Sequence, residues 1–139
     1  MTAAARSGAA TLPVRHGEKR WTEAELARVR KELEAELVGL RADISRAESQ
    51  IAERLGDAVG DAGDDQADAG AKTFEREHEL ALTENARELL ARSELALARI
   101  DAGSYGVCES CGQPIGKARL QAFPRATLCV SCKQREERR

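Results

Sequence analysis

The sequence predicts a mainly α-helical protein, in which a long antiparallel helical hairpin (a coiled coil) precedes a small domain built on four cysteines and a short C-terminal helix. Three observations favour this class. Apolar residues recur every three or four positions along two long stretches. Only 3% of the residues are aromatic, whereas 33% are charged, a composition typical of long helices. All 4 cysteines lie within residues 108–132.

Composition and periodicity divide the chain into three parts. Residues 1–20 lack periodicity and mix Ala, Gly, Ser and Pro with scattered cations, which predicts a disordered basic arm. Residues 21–102 are predicted to form the hairpin, with an acidic tip at 57–70. Residues 103–139 hold the cysteines and the C-terminal helix.

The first arm of the hairpin begins within the sequence "WTEAEL". Thr22 and Glu25 form a capping-box pair, and Trp21 and Leu26 stand where a hydrophobic staple closes the first turn. The apolar positions that follow are about 3.5 residues apart, the coiled-coil period. They are Leu26, Val29, Leu33, Leu37, Leu40, Ile44, Ala47, Ile51 and Leu55. We expect this helix to end near Gly56.

The second arm is predicted over about residues 72–102, with Gly103 as the glycine that ends it. Its expected inner face comprises Phe74, His78, Ala81, Leu82, Asn85, Ala86, Leu89, Ser93, Ala96 and Ile100, and Leu90 and Leu97 widen it. We interpret His78 as a packing residue, because no cysteine or second histidine lies near it in sequence. Arms of similar length joined by a short turn predict an antiparallel hairpin, each arm roughly 45–50 Å long.

The turn between the arms is strongly acidic. The segment "DAVGDAGDDQADAG" (57–70) contains five aspartates and no basic residue. A solvated loop that keeps the hairpin soluble is one interpretation. A calcium loop is disfavoured, because Ala69 stands where an EF-hand requires glycine.

The cysteines form two C-x₂-C pairs, "CESC" and "CVSC", separated by seventeen residues. Four thiolates at this spacing suit one tetrahedral, structural Zn²⁺ bound by Cys108, Cys111, Cys129 and Cys132. Three alternatives are weaker. Two disulfides would need an oxidising compartment, of which the sequence gives no sign, and a thioredoxin-like redox motif would lie beside a βαβ pattern, which is absent. A catalytic zinc would keep one ligand position open, whereas four cysteines fill all four positions. A thiol sensor that releases zinc on oxidation stays open as a minor alternative.

Other classes of function find no support in the sequence. No apolar run reaches the roughly 20 residues that a membrane span requires, and no secretory signal is present, so we expect a cytoplasmic protein. We also expect no enzyme, because the sequence shows no nucleophile–base pair, no phosphate-binding glycine loop and no open metal site.

Residues 105–133, "YGVCESCGQPIGKARLQAFPRATLCVSCK", resemble the C4-type zinc finger of the DksA/TraR family of bacterial transcription regulators. The hairpin before the finger matches that family's layout. The family's D-x-x-D-x-A tip motif resembles "DQADAG", in which Asp65 and Asp68 keep the spacing and Gly70 replaces the alanine.

The resemblance implies a protein that binds RNA polymerase. Family members insert the hairpin into the secondary channel, where an acidic tip approaches basic residues and catalytic Mg²⁺, while the finger rests on the channel rim. They often act together with the alarmone ppGpp. By the same resemblance, the candidate ppGpp contacts here are Arg92 and Lys133.

Two rival hypotheses stay open at this stage. A zinc ribbon that binds nucleic acid directly would use the cations of the finger, which are Lys117, Arg119, Arg125 and Lys133. The finger has few aromatic residues and the net charge of the chain is −2, so we expect no sequence-specific DNA binding. A coiled-coil adaptor would pair its helices between molecules. The two comparable arms favour pairing within one chain and predict a monomer.

Overall fold

The computed structural model describes residues 8–60 and 66–138, with side chains described over 8–56 and 69–138. The long helices are α1, Glu23–Gly60, and α2, Gln66–Ala102; the short helices are α3, Lys117–Ala122, and α4, Val130–Glu137. Residues 8–11 are also helical. The predicted helical class is therefore confirmed. None of the described helices is both long and apolar enough to cross a lipid bilayer.

The predicted capping box opens α1. The Thr22 N–H donates to Glu25 Oε1 at 2.9 Å, and the Glu25 N–H donates back to Thr22 Oγ1 at 3.1 Å. These reciprocal bonds satisfy amide groups that a helix start leaves without partners. Trp21 is buried, and Leu26 packs against the same core. The sequence therefore identified both the start of α1 and its cause.

The helices are longer than predicted at the acidic segment. Helix α1 continues past Gly56 to Gly60, and α2 begins at Gln66 rather than near residue 72. A glycine inside an exposed helix costs about 1 kcal/mol, which the surrounding Ala, Glu, Arg and Leu residues can offset. At the other end of α2 the prediction is confirmed. Gly103 has a φ of 76°, and the Ser104 N–H donates to the Arg99 carbonyl at 2.9 Å, as in a Schellman cap.

The chain divides into two compact units, of which the second is Leu37–Ala91. Within it α1 and α2 pack against each other in antiparallel order. Arg87 of α2 pairs with Glu48 of α1, and Arg54 of α1 pairs with Glu79 of α2. The partly or fully buried apolar positions of α1 in this unit are Leu37, Leu40, Ile44, Ala47 and Ile51, as predicted. Leu55 departs from the prediction, because it is 49% exposed.

The inner face of α2 in this unit is only partly the predicted one. Of the predicted positions, Ala86, Leu89 and Leu90 are covered, whereas Phe74, His78, Ala81, Leu82 and Asn85 are exposed. The covered positions that were not predicted are Arg76, Glu79 and Thr83. Thr83 tolerates burial because its hydroxyl donates to the Glu79 carbonyl at 2.8 Å. Arg76, Glu79, Thr83, Ala86 and Leu90 recur at heptad spacing. The polar Glu79 is covered there because it pairs with Arg54 of α1. The prediction that His78 packs inside is therefore wrong.

The first unit takes in the chain up to Glu36 and from Arg92 onward. Its core is one cluster in which Val29 and Leu33 of α1 join Ala96 and Ile100 of α2 and the finger. Trp21 and Tyr105 belong to this cluster, and their ring centroids lie 6.2 Å apart. Arg30 and Asp101 form an ion pair at 2.5 Å between the two helices.

The N-terminal segment is ordered from residue 8, in contrast to the predicted disordered arm. Ala9 is 1% exposed and Leu12 is 3% exposed, and both belong to the buried cluster. Glu18 accepts hydrogen bonds from the first two residues of α3. The composition of the segment predicts disorder. The prediction fails because the residues that the segment contacts lie about a hundred positions away in sequence, and a local pattern cannot reveal them. Residues 1–7 lie outside the described residues.

Candidate metal centre and acidic tip

The four cysteines come together in the first unit. Their sulfur atoms all lie within 4.8 Å of one another, and Cys111 Sγ is 3.8 Å from Cys129 Sγ. Cys108, Cys129 and Cys132 are buried, whereas Cys111 is exposed, and all four are free thiols. A tetrahedral site with Zn–S bonds of about 2.3 Å places its sulfurs about 3.8 Å apart, so this donor set fits Zn²⁺.

The first pair is held by a tight backbone loop. The Cys108 N–H donates to the Gln113 carbonyl at 2.8 Å, and the Gly112 N–H donates to the Cys108 carbonyl at 3.0 Å. Gly112 has a φ of 75°, a conformation that side chains with a Cβ rarely adopt. An isolated antiparallel bridge between Val107 and Pro114 closes the loop. The sequence "CESCG" thus folds into a knuckle that turns both sulfurs to the same side.

The second pair opens α4. Cys129 is the N-cap residue of this helix, and Cys132 lies in its first turn and is buried. The Glu109 N–H donates to the Thr127 carbonyl at 2.9 Å, which ties the two pairs together. Helix geometry and one backbone bond therefore bring the second C-x₂-C to the first.

Backbone donors favour the anionic form of one thiol. Burial alone would raise the pKa of Cys108, but amide groups of Cys111, Cys129 and Ser110 outweigh it and lower that pKa to about 6. The Cys129 N–H lies 3.4 Å from the Cys108 sulfur. Thiolates are the form that binds Zn²⁺, so this environment suits a metal ligand.

Three contacts that no sequence motif predicted support the finger. The buried Tyr105 hydroxyl donates to the Pro124 carbonyl at 2.8 Å, and burial raises the Tyr105 pKa. Arg119 Nε donates to the Leu128 carbonyl at 3.1 Å, just before the second cysteine pair. Arg99 of α2 pairs with Glu109, inside the first pair, at 2.5 Å. These bonds anchor both knuckles to their surroundings.

The predicted tip residues are only partly described. Asp65 lies outside the described residues, and Asp68 lies in α2. Gly70 is also in α2 and exposed, and a Cβ added to it would meet no atom within 4 Å. A side chain at position 70 is therefore sterically free.

The two candidate ppGpp contacts, Arg92 and Lys133, both lie in the first unit, and their role as contacts stays a prediction. Arg92 lines a small cavity of the first unit with Arg99, Arg125, Tyr105 and Thr127, and Lys133 is not among its lining residues. Lys133 lies exposed on α4. In this cavity Arg99 pairs with Glu109, and Arg125 pairs with Glu36 at 3.2 Å.

Together, two long paired helices and a finger with four converging thiols define a class of helical-hairpin proteins with a C4 metal-binding finger. The sequence profile described as the prokaryotic dksA/traR C4-type zinc finger matches residues 103–138. The RNA polymerase-binding transcription factor DksA of Escherichia coli K12 is 34% identical over 117 residues, 84% of this chain and 74% of that protein. The chain belongs to the DksA/TraR family.

Two further relatives agree with this assignment. The RNA polymerase-binding transcription factor DksA of Caulobacter vibrioides NA1000 is 44% identical over 75 residues, so the match spans about half of that protein (53%) and 54% of this chain. The solved structure of transcription factor DksA2 from Pseudomonas aeruginosa superposes with a TM-score of 0.67 and 32% identity, covering 84% of this chain and 85% of the other.

Proposed function

We propose that this chain is a bacterial transcription regulator that binds RNA polymerase. The observation that carries the proposal is the 34% identity over 117 residues to a factor named for RNA polymerase binding. That length exceeds the 36 residues of the finger profile (103–138), so the similarity includes the hairpin as well as the finger. The family likeness in sequence is accompanied by a likeness in fold to DksA2.

In this proposal the hairpin enters the secondary channel of the polymerase and the acidic segment acts near the active site. Asp65 and Asp68 supply negative charge, which a cavity lined by basic residues and catalytic Mg²⁺ attracts. Because RNA polymerase carries out the reaction, a protein that regulates it needs no catalytic group of its own. We also propose that the chain acts in the cytoplasm as a monomer and binds DNA without sequence specificity, if at all.

The finger is proposed to bind one structural Zn²⁺ through Cys108, Cys111, Cys129 and Cys132 and to dock at the channel rim. The metal would supply the stability that a finger with so few apolar residues lacks, since a closed four-thiolate site contributes folding free energy. The alarmone ppGpp is proposed as a co-regulator, with Arg92 and Lys133 as contacts. Guanidinium and ammonium groups are suited to phosphate.

A direct binding assay tests the proposal against its rivals. Immobilised chain is presented with purified core RNA polymerase, and in parallel labelled duplex DNA is titrated with the chain at moderate salt. We expect saturable polymerase binding and no DNA shift. A shift without polymerase binding would support a zinc ribbon that binds nucleic acid. Binding to neither, with a dimer in light scattering, would support a coiled-coil adaptor.

Transcription in vitro then tests regulation. Promoter-complex lifetimes are measured with and without the chain, each in the presence and absence of ppGpp. We expect the chain to shorten the lifetimes. Polymerase binding without any change in lifetime would reject the regulatory role while leaving the binding role intact. A ppGpp effect that survives in an Arg92→Ala, Lys133→Ala variant would reject those two contacts.

A further inference from the structure

Helix α2 carries a stripe on its exposed surface in which two apolar side chains, Phe74 and Leu82, lie on either side of His78. These residues are four positions apart and therefore lie along one face of the helix. Phe74 is 71% exposed and Leu82 is 57% exposed, and His78 is also exposed. Burying such side chains is favourable, so a phenylalanine and a leucine aligned outside the packed face are suited to a partner.

The charges beside the stripe have one sign. Glu75 and Glu77 are exposed and lie three residues from His78 and Phe74, so they flank the stripe on its two sides. The nearby cation Arg76 is partly covered on the packed side of the helix. A complementary surface would therefore combine an apolar groove with basic residues at its edge.

A second copy of the chain does not fit this description. The stripe offers on the order of 300 Å² of apolar surface, against roughly 800 Å² per partner in a stable interface. Two copies would also bring together two stripes that are both flanked by glutamates, and like charges repel. A larger partner that contacts other parts of the chain as well avoids both problems.

We propose that the stripe Phe74–His78–Leu82 is a docking surface that seats in an apolar, basic-edged groove of RNA polymerase. The inference rests on the proposed function and deepens it. The stripe begins four residues after Gly70 on the same helix, so it continues the surface assigned to the acidic tip. The tip would contribute the regulatory charge, and the stripe would hold the helix in place beside it.

The test compares two double variants of the full chain for affinity to purified core polymerase. Phe74→Ala with Leu82→Ala removes the stripe, and Val38→Ala with Leu55→Ala is the matched control on α1, where both residues are exposed (65% and 49%). Alanine favours helices, so both variants should keep the helical content, which circular dichroism checks. We expect about tenfold weaker binding for the stripe variant and less than twofold change for the control.

The outcomes separate the two proposals. If the unmodified chain does not bind polymerase, the proposed function fails. If it binds and the two double variants bind equally well, the proposed function stands and the stripe is overturned. A chain that dimerises in sedimentation and becomes monomeric only in the stripe variant would overturn it in favour of self-association.

A separate experiment tests whether the edge of the polymerase groove is basic. In Glu75→Gln with Glu77→Gln, the dependence of polymerase affinity on salt concentration should become shallower, because fewer charge pairs form. An unchanged salt dependence would overturn the basic edge of the groove. The single variant Leu82→Gln should weaken binding in the same direction as the double alanine variant, and no weakening would count against the stripe.

Discussion

Glu18 accepts a hydrogen bond from the backbone N–H of Lys117 at 3.0 Å, across 99 residues of sequence. The same carboxylate accepts the N–H of Ala118 at 3.0 Å and of Arg15 at 2.8 Å. Gly116, the N-cap residue of α3, offers no side chain to these amides. Glu18 therefore caps α3 from outside, and this contact makes the N-terminal segment part of the finger domain.

Removing this cap should weaken the fold. Glu18→Ala leaves three amide groups without their anionic acceptor, and we expect it to lower the free energy of unfolding by about 1–3 kcal/mol. Glu34→Ala, at an exposed position of α1, is the matched control and should change it by less than about 0.5 kcal/mol. Urea titrations followed by circular dichroism measure both. Equal stability of the two variants would show that the cap contributes nothing.

The contribution of Glu18 should also depend on pH. Burial would raise its pKa, but the amides of Ala118, Arg15 and Lys117 outweigh burial and lower the pKa below its ordinary value. A carboxyl with a lowered native pKa stabilises the fold above its unfolded pKa of about 4.3, and this stabilisation is lost as the pH falls through the native pKa. The difference in stability between the unmodified chain and Glu18→Ala should therefore be full at pH 7 and shrink in acid. A difference that grows in acid would contradict the assignment.

Zinc should be inseparable from the folding of the finger. Cys108→Ser removes one of four ligands, and we expect bound zinc to fall from about one ion per chain to nearly none. Ser131→Ala, an exposed change between Cys129 and Cys132, should retain the metal. Zinc released by a thiol-blocking reagent and counted with a colorimetric chelator measures both variants. Full zinc content in Cys108→Ser would overturn the ligand set.

Replacing two glycines by alanine should change the stability of the fold in opposite directions. Gly39 lies within α1, and an added Cβ meets no atom within 4 Å, so Gly39→Ala should stabilise the fold by about 1 kcal/mol. Gly103 has a φ of 76°, so Gly103→Ala should destabilise it by about 1 kcal/mol or more. Thermal unfolding of the two variants side by side gives the comparison. Shifts of the same sign would contradict the helix bounds.

The tip should matter for regulation more than for affinity. We expect Asp68→Asn to weaken the effect on promoter-complex lifetime while polymerase affinity stays within a few-fold. The substitution removes charge at the proposed active-site end and leaves the rest of the chain unaltered. Asp57→Asn, which removes an acidic charge outside the D-x-x-D spacing, is the control. Unchanged lifetimes with Asp68→Asn would mean that the tip is not the acting part.

The local features of the fold could be predicted from the sequence. The capping box of Thr22 and Glu25, the glycine cap at Gly103 and the covered face of α1 each depend on residues a few positions apart. Each C-x₂-C pair of the cysteine cluster is also formed by residues a few positions apart, and the spacing of the two pairs is specific enough to identify the four metal donors.

What could not be predicted depends on contacts distant in sequence. Nothing near Glu18 shows that it caps α3, so residues 8–20 were expected to be disordered. In α2, the alignment of Phe74, His78 and Leu82 indicated an inner face, but the helix packs through Thr83 and the paired Glu79 instead. Hydrophobic periodicity identifies the apolar faces of a helix but does not show which of them packs against the other helix. Phe74 and Leu82 of α2 stay exposed.

The proposed insertion of the hairpin into the secondary channel is tested most directly by locating position 70 in the complex with polymerase. A photo-cross-linking amino acid replaces Gly70, a site where a side chain meets no atom within 4 Å, and the bound complex is irradiated and mapped by mass spectrometry. We expect cross-links to polymerase segments that line the secondary channel. Cross-links confined to surfaces outside that channel, from a chain that is bound, would contradict it.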